Sequence, residues 1–90
     1  MYSQHDDSPF KFPCEFPIKA IGKSRENLDV IVFSIVRKHA PDLSEAAVRS
    51  RPSRKGNYLS LTVTIMAKSR DQLDAIYRDL TACEHIMMVL

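Results

Sequence analysis

Lys23-Ser24-Arg25-Glu26-Asn27-Leu28-Asp29-Val30-Ile31 and Lys68-Ser69-Arg70-Asp71-Gln72-Leu73-Asp74-Ala75-Ile76 are one pattern written twice. Position by position the residues are identical or chemically close, and an internal repeat of this kind points to a fold built from two similar halves. Each copy reads as a helix start. A serine oxygen can accept a hydrogen bond from an otherwise unpaired amide of the first turn, and the acids that follow favour the positive end of the helix dipole. Ser69 with Gln72 also fits a capping box.

Behind the first serine, Leu28, Ile31, Val32, Ile35, Val36 and His39 recur at three- and four-residue spacing, and Pro41 ends the run. Behind the second, Leu73, Ile76, Tyr77 and Leu80 draw the same stripe. Both helices are amphipathic and need a sheet to cover. The clearest strand is Tyr58 to Ala67, where Leu59, Leu61, Val63 and Ile65 alternate with polar residues. Weaker strands are expected at about Phe16 to Lys23, Ala46 to Arg51 and Glu84 to Leu90, with a turn over Pro52 to Asn57.

The resulting order is strand, helix, strand, strand, helix, strand. Two βαβ units sharing one antiparallel sheet, with both helices on one face, make an α+β ferredoxin-like sandwich. In the usual order for that fold the second and fourth strands are edges. Arginines and Pro52 guard the second. The fourth, ending Ile86-Met87-Met88-Val89-Leu90, is apolar on both sides and reads either as covered by a partner or by the N-terminal segment, or as a loop packed on the core. The expected division is a flexible tail over residues 1–14, with Phe10 and Phe12 able to dock, and a domain over residues 15–90.

At 90 residues, 44% hydrophobic and 27% charged, the chain is expected to make one globular domain. So short a chain buries a modest share of its surface, which makes a homodimer a candidate assembly. No apolar run approaches the roughly 20 residues of a membrane span. Nor does the start of the chain show a secretory pattern, so a cytoplasmic location is expected. Cys14 and Cys83 have no C-x-x-C partner and read as reduced thiols.

The net charge is +2, unevenly spread. Between Ala46 and Arg70 stand six Lys or Arg residues and no acid, while the remaining seven bases face all 11 acids. Such a basic stretch is either a solvated hairpin or a contact surface for an anionic partner. Its candidate binding residues are Arg49, Arg51, Arg54, Lys55, Asn57 and Tyr58.

Catalytic chemistry finds no foothold in the sequence. Cys14 adjoins the tail, no serine sits in a G-x-S-x-G turn, and the acids lie at helix starts and exposed helix positions. With only Gly22 and Gly56 there is no glycine-rich phosphate loop. Cys83 and His85 would share a strand face, but no third ligand joins them at a recognised metal spacing. No catalytic residue, metal or cofactor is therefore assigned. Gly22, before the first helix, would let a ligand or another backbone approach, or would serve a turn with an unusual backbone angle. Gly22 and Asn27 are the candidate ligand-loop residues. An RNA-recognition motif needs aromatics on its third strand. Lys55-Gly56-Asn57-Tyr58-Leu59-Ser60-Leu61-Thr62 opens like one but has Asn57, Leu59 and Thr62 at the stacking positions, and the first strand offers only Phe16. Backbone-only nucleic-acid binding by the hairpin is the alternative function.

Phe16-Pro17, His39-Ala40-Pro41, Ser53-Arg54-Lys55-Gly56-Asn57-Tyr58 and the Met87-Met88-Val89-Leu90 ending together resemble the YbeD-like family of small bacterial proteins, from about Phe16 to the C-terminus. The resemblance implies a ferredoxin-like fold close to the ACT regulatory domains, no assigned activity, and a regulatory link to lipoate metabolism. Ligand-binding ACT domains usually carry an Asp-x-Pro-Gly-like stretch after the first strand. Here Ile21-Gly22-Lys23-Ser24-Arg25-Glu26-Asn27 stands there, and only the glycine and the location match. The expectation is a non-enzymatic regulatory or adaptor domain acting through protein contacts or a small ligand.

Overall fold

The computed structural model describes residues 11–24 and 27–90. Most of the expected tail, with Phe10, and Arg25 and Glu26 of the first repeat copy lie outside the described residues. The elements are β1 (Cys14–Lys23), α1 (Leu28–His39), a single 3-10 turn (Glu45–Ala47), β2 (Val48–Pro52), β3 (Tyr58–Ala67), α2 (Arg70–Ala82) and β4 (Met88–Val89). The four strands pair antiparallel in the order β2-β3-β1-β4. This is the ferredoxin-like order, with β2 and β4 at the edges as expected.

The core follows from the periodicities. Ile18 and Ala20 of β1 and Leu61, Val63, Ile65 and Ala67 of β3 point to one side of the sheet and are buried. Leu28, Val32 and Val36 of α1 and Leu73, Ile76 and Leu80 of α2 close over them. No polar side chain is buried among the described residues. Each fully buried aliphatic contributes about 1.5–3 kcal/mol by leaving water, so this layer is the main source of stability. Phe12 and Phe16 pack on its margin.

The repeat is less symmetric in space than in sequence. Ser69 caps α2 as expected, its Oγ accepting from the Gln72 amide at 3.1 Å. The Gln72 side chain accepts from the Lys68 amide and donates to the carbonyl of His39, tying α2 to the end of α1. Ser24, by contrast, does not cap α1. That helix begins after Asn27, which adopts a left-handed backbone (φ 72°) and offers no side-chain cap. The amide of Ser24 instead donates to the carbonyl of Asn57 at 2.9 Å, prolonging the β1–β3 ladder. With Asn27 left-handed the helical turns begin only at Leu28, too far along the chain for Ser24 to cap them.

Two strands are shorter than expected. Residues 45–47 form the 3-10 turn, so β2 starts at Val48 rather than Ala46. The last strand shrinks from the expected Glu84–Leu90 to Met88–Val89. A turn accounts for it: the Ile86 amide donates to the Cys83 carbonyl, which drives the Ile86 side chain into the core before the backbone reaches the sheet. Leu90 then exchanges two backbone hydrogen bonds with Lys19.

Candidate functional site

At the end of the sheet where β1 runs out, three segments converge. β1 delivers Gly22 and Lys23, the following turn delivers Ser24 and Asn27, and the segment after α2 crosses beside them, with the Met87 amide donating to the Ile21 carbonyl at 2.7 Å. Gly22 is buried, and a Cβ there would stand 2.5 Å from the His85 carbonyl oxygen and 3.0 Å from Leu28 Cδ2. Of the two glycines only Gly56 has a positive φ, so the reason for glycine at position 22 is the close approach of another backbone, not an unusual angle.

Between these segments lies an open cleft of about 920 Å³. Leu28, Ile31 and Met87 supply its apolar surface, while Lys23, Ser24, Asn27, Glu84 and His85 bring polar groups to it. The His85 Nε2 lies 4.0 Å from a Glu84 carboxylate oxygen. The start of α1, whose aligned amides favour negative charge, opens at the same place. Such a cleft can hold a small molecule with one apolar part and one anionic group. Of the two ligand-loop candidates, Asn27 lines the cleft and Gly22 lies in the strand beside it. Lys23 lies within that same loop, whereas Glu84, His85 and Met87 were missed by sequence reasoning. The one available signal was Gly22, whose need for a close neighbour pointed to a crossing segment.

The basic hairpin is divided by the strand alternation. Arg49 and Arg51 share a sheet face with Thr62 and Ser60, their cross-strand partners, and Tyr58 stands opposite Lys23 on that same face. Arg54 and Lys55 are at the exposed turn tip. The turn itself is held by Ser53: its Oγ accepts from the Tyr58 amide, its amide donates to the Tyr58 carbonyl, and its carbonyl accepts from Gly56. Gly56 has φ +77°, which favours glycine. The Asn57 carbonyl receives the Ser24 amide, so the hairpin and the cleft-lining turn are joined through their backbones.

Two further placements differ from expectation, those of Cys14 and of the Cys83–His85 pair. Cys14, the last residue of the expected tail, instead opens β1 opposite Ala67. Cys83 is the C-terminal cap of α2 and His85 lies in the turn beyond it, so they share no strand face. Phe16, the lone first-strand candidate for base stacking, packs against the core on the helix side. Among the described residues no three or more His, Cys, Asp or Glu side chains gather as a metal site, and no helix is long and apolar enough to cross a membrane.

Comparison with known proteins decides the relationship. A family model described as "Protein of unknown function (DUF493)" matches residues 7–90. The chain belongs to this family. Relatives named UPF0250 proteins include one from Paraburkholderia phytofirmans, 44% identical over 98% of this chain and 99% of its own length. Another, from Nitrosomonas europaea, is 45% identical over 94% and 98%. The YbeD-like resemblance seen in the sequence agrees with this membership. Among solved structures, the H. pylori protein HP0495 superposes with a TM-score of 0.70 at 11% identity, covering 100% of this chain and 94% of that one. The ACT domain from a GTP pyrophosphokinase of Chlorobium tepidum superposes with a TM-score of 0.64 at 14% identity, covering 84% of each. At these identities the likeness is one of fold, and the fold of this DUF493 member is ACT-like.

Proposed function

We propose that this DUF493 protein is a non-enzymatic, cytoplasmic regulatory domain that binds a small anionic metabolite in the cleft beside Gly22. The observation that carries the reading is the convergence of Lys23, Asn27 and His85 on an apolar floor of Leu28, Ile31 and Met87, with the one lining carboxylate, Glu84, turned largely to solvent. The polar groups select a charge and the floor supplies burial, the usual division of labour in small-molecule sites. The ACT-like fold supports a regulatory role, because resemblance to ACT domains implies one. Occupancy would be felt beyond the cleft, since the Ser24–Asn57 hydrogen bond links its wall to the basic hairpin.

The test is retention of metabolites by the purified protein. Wild-type protein and a Lys23→Glu variant are passed through the same cell extract and their bound small molecules compared by mass spectrometry. The reading expects an anionic metabolite retained by the wild type and lost from the variant. Retention of nothing, or of the same species by both, contradicts it.

A further inference from the structure

We infer that the sheet face left bare by the helices docks an acidic amphipathic helix of a partner protein. The strand register sorts that face into rows. Crossing from β2 to β4, one row reads Arg51, Ser60, Ile21, Met88. The next reads Arg49, Thr62, Lys19, Leu90, the last pair closed by mutual backbone hydrogen bonds. One end of each row is thus cationic and the other apolar. Met88 and Leu90 are 53% and 59% exposed, so the apolar end is open to a partner.

The charges on this face are unbalanced. Among the described residues its only side-chain carboxylate is Glu15, at the far end opposite Met66. No carboxylate of the described residues pairs with Lys19, Arg49 or Arg51. An acidic partner is the complement that such a surface steers and orients. The dimensions suit a helix. Strands about 4.8 Å apart make each row roughly 14 Å long, and a helix with its side chains is about 10–12 Å across. Lying along the strands, it would set an apolar stripe on Ile21, Met88 and Leu90 and direct acids on its flank toward Arg49 and Arg51. The apolar end is pre-organised, because Leu90 is held on both backbone groups by Lys19 and on its carbonyl by the Tyr77 hydroxyl at 3.2 Å.

Other occupants fit less well. Single-stranded nucleic acid needs aromatic platforms, and the one described aromatic on this face is Tyr58. A second copy adding its β2 edge antiparallel about Ser50 would set Arg49 against Arg51 of that copy, and opposed like charges destabilise a sheet.

The experiment is amide-shift mapping on the full-length protein with three probes: a synthetic Glu/Leu amphipathic helix of about 18 residues, its Lys/Leu counterpart, and oligo-dT. The expected result is that only the Glu/Leu helix shifts Lys19, Ile21, Arg49, Thr62 and Met88, with an affinity that falls as salt rises. Arg49→Glu with Arg51→Glu should weaken it at least about tenfold, with an unchanged circular-dichroism spectrum. Met88→Ser should weaken it while leaving the salt dependence unaltered. No shift on this face, equal binding of the Lys/Leu helix, or tighter binding of oligo-dT overturns the inference. So does a shift of these resonances by Asp6→Lys with Asp7→Lys alone, which would name the chain's own N-terminal segment as the occupant.

Discussion

The carbonyl oxygen of His85 stands 2.5 Å from where a Cβ on Gly22 would be, so the segment after α2 can cross β1 only over a glycine. Backbone, not a flexible side chain, is what the extra methyl would meet. Gly22→Ala should therefore push the crossing segment off the sheet and destabilise the protein by about 1–3 kcal/mol, the usual cost of overpacking. Urea unfolding measures it, and the amide resonances of His85 and Met87 should move most.

The unequal helix starts give a paired prediction. Ser69→Ala removes the oxygen that accepts from Gln72 and should cost about 1 kcal/mol. Ser24→Ala, at the matching position of the repeat, leaves its backbone bond to Asn57 intact and should change stability by less than about 0.5 kcal/mol. Equal losses in the two variants would show that the repeat is symmetric after all.

That asymmetry also marks how far the sequence could be read. β3 was legible to its ends because Leu61, Val63 and Ile65 alternate without interruption, and both helix faces were legible from their spacing. The start of α1 was not, because Ser24 carries a valid cap signal while the left-handed turn at Asn27 delays the helix to Leu28. The last strand misled for a related reason: an apolar run states that residues are buried or paired, not that Ile86 plugs the core from a turn. The hairpin's place in the chain was legible from its turn residues, but strand alternation, which splits Arg49 and Arg51 from the tip pair Arg54 and Lys55, depends on a register that only the folded sheet supplies. The cleft was half visible, through Gly22 and Asn27, while Lys23 and His85 meet only by a long-range crossing.

Gly56 offers a contrast with Gly22. A Cβ there meets nothing within 4 Å, but the backbone is left-handed at φ +77°. Gly56→Ala should cost about 1–2 kcal/mol by backbone strain alone. Gly56→Asn should cost less, since asparagine tolerates that region. Thermal unfolding of the two variants checks the order.

His39 Nε2 and Asp79 Oδ2 lie 2.6 Å apart and join the end of α1 to α2. The hydrogen bond from His39 is the main influence holding the Asp79 carboxyl below its ordinary 3.8, with the positive charges of Lys38 and Arg78 adding to it. A carboxyl whose folded value is depressed stabilises the fold above its unfolded value and loses that contribution as pH falls through the folded one. Wild type should thus exceed Asp79→Asn in stability near neutrality, and the difference should close as pH falls below the ordinary carboxyl value of 3.8. A difference that persists at the acid end would contradict the assignment.

The cleft beside Gly22 carries the functional account, and titration of the retained metabolite into labelled protein, followed by amide shifts, tests it most directly. Saturable shifts are expected at Lys23, Ser24, Asn27 and His85, passing through Ser24 to Asn57 in the hairpin, and are lost in Lys23→Glu. Saturable shifts that avoid the cleft, or that survive Lys23→Glu unchanged, would contradict it.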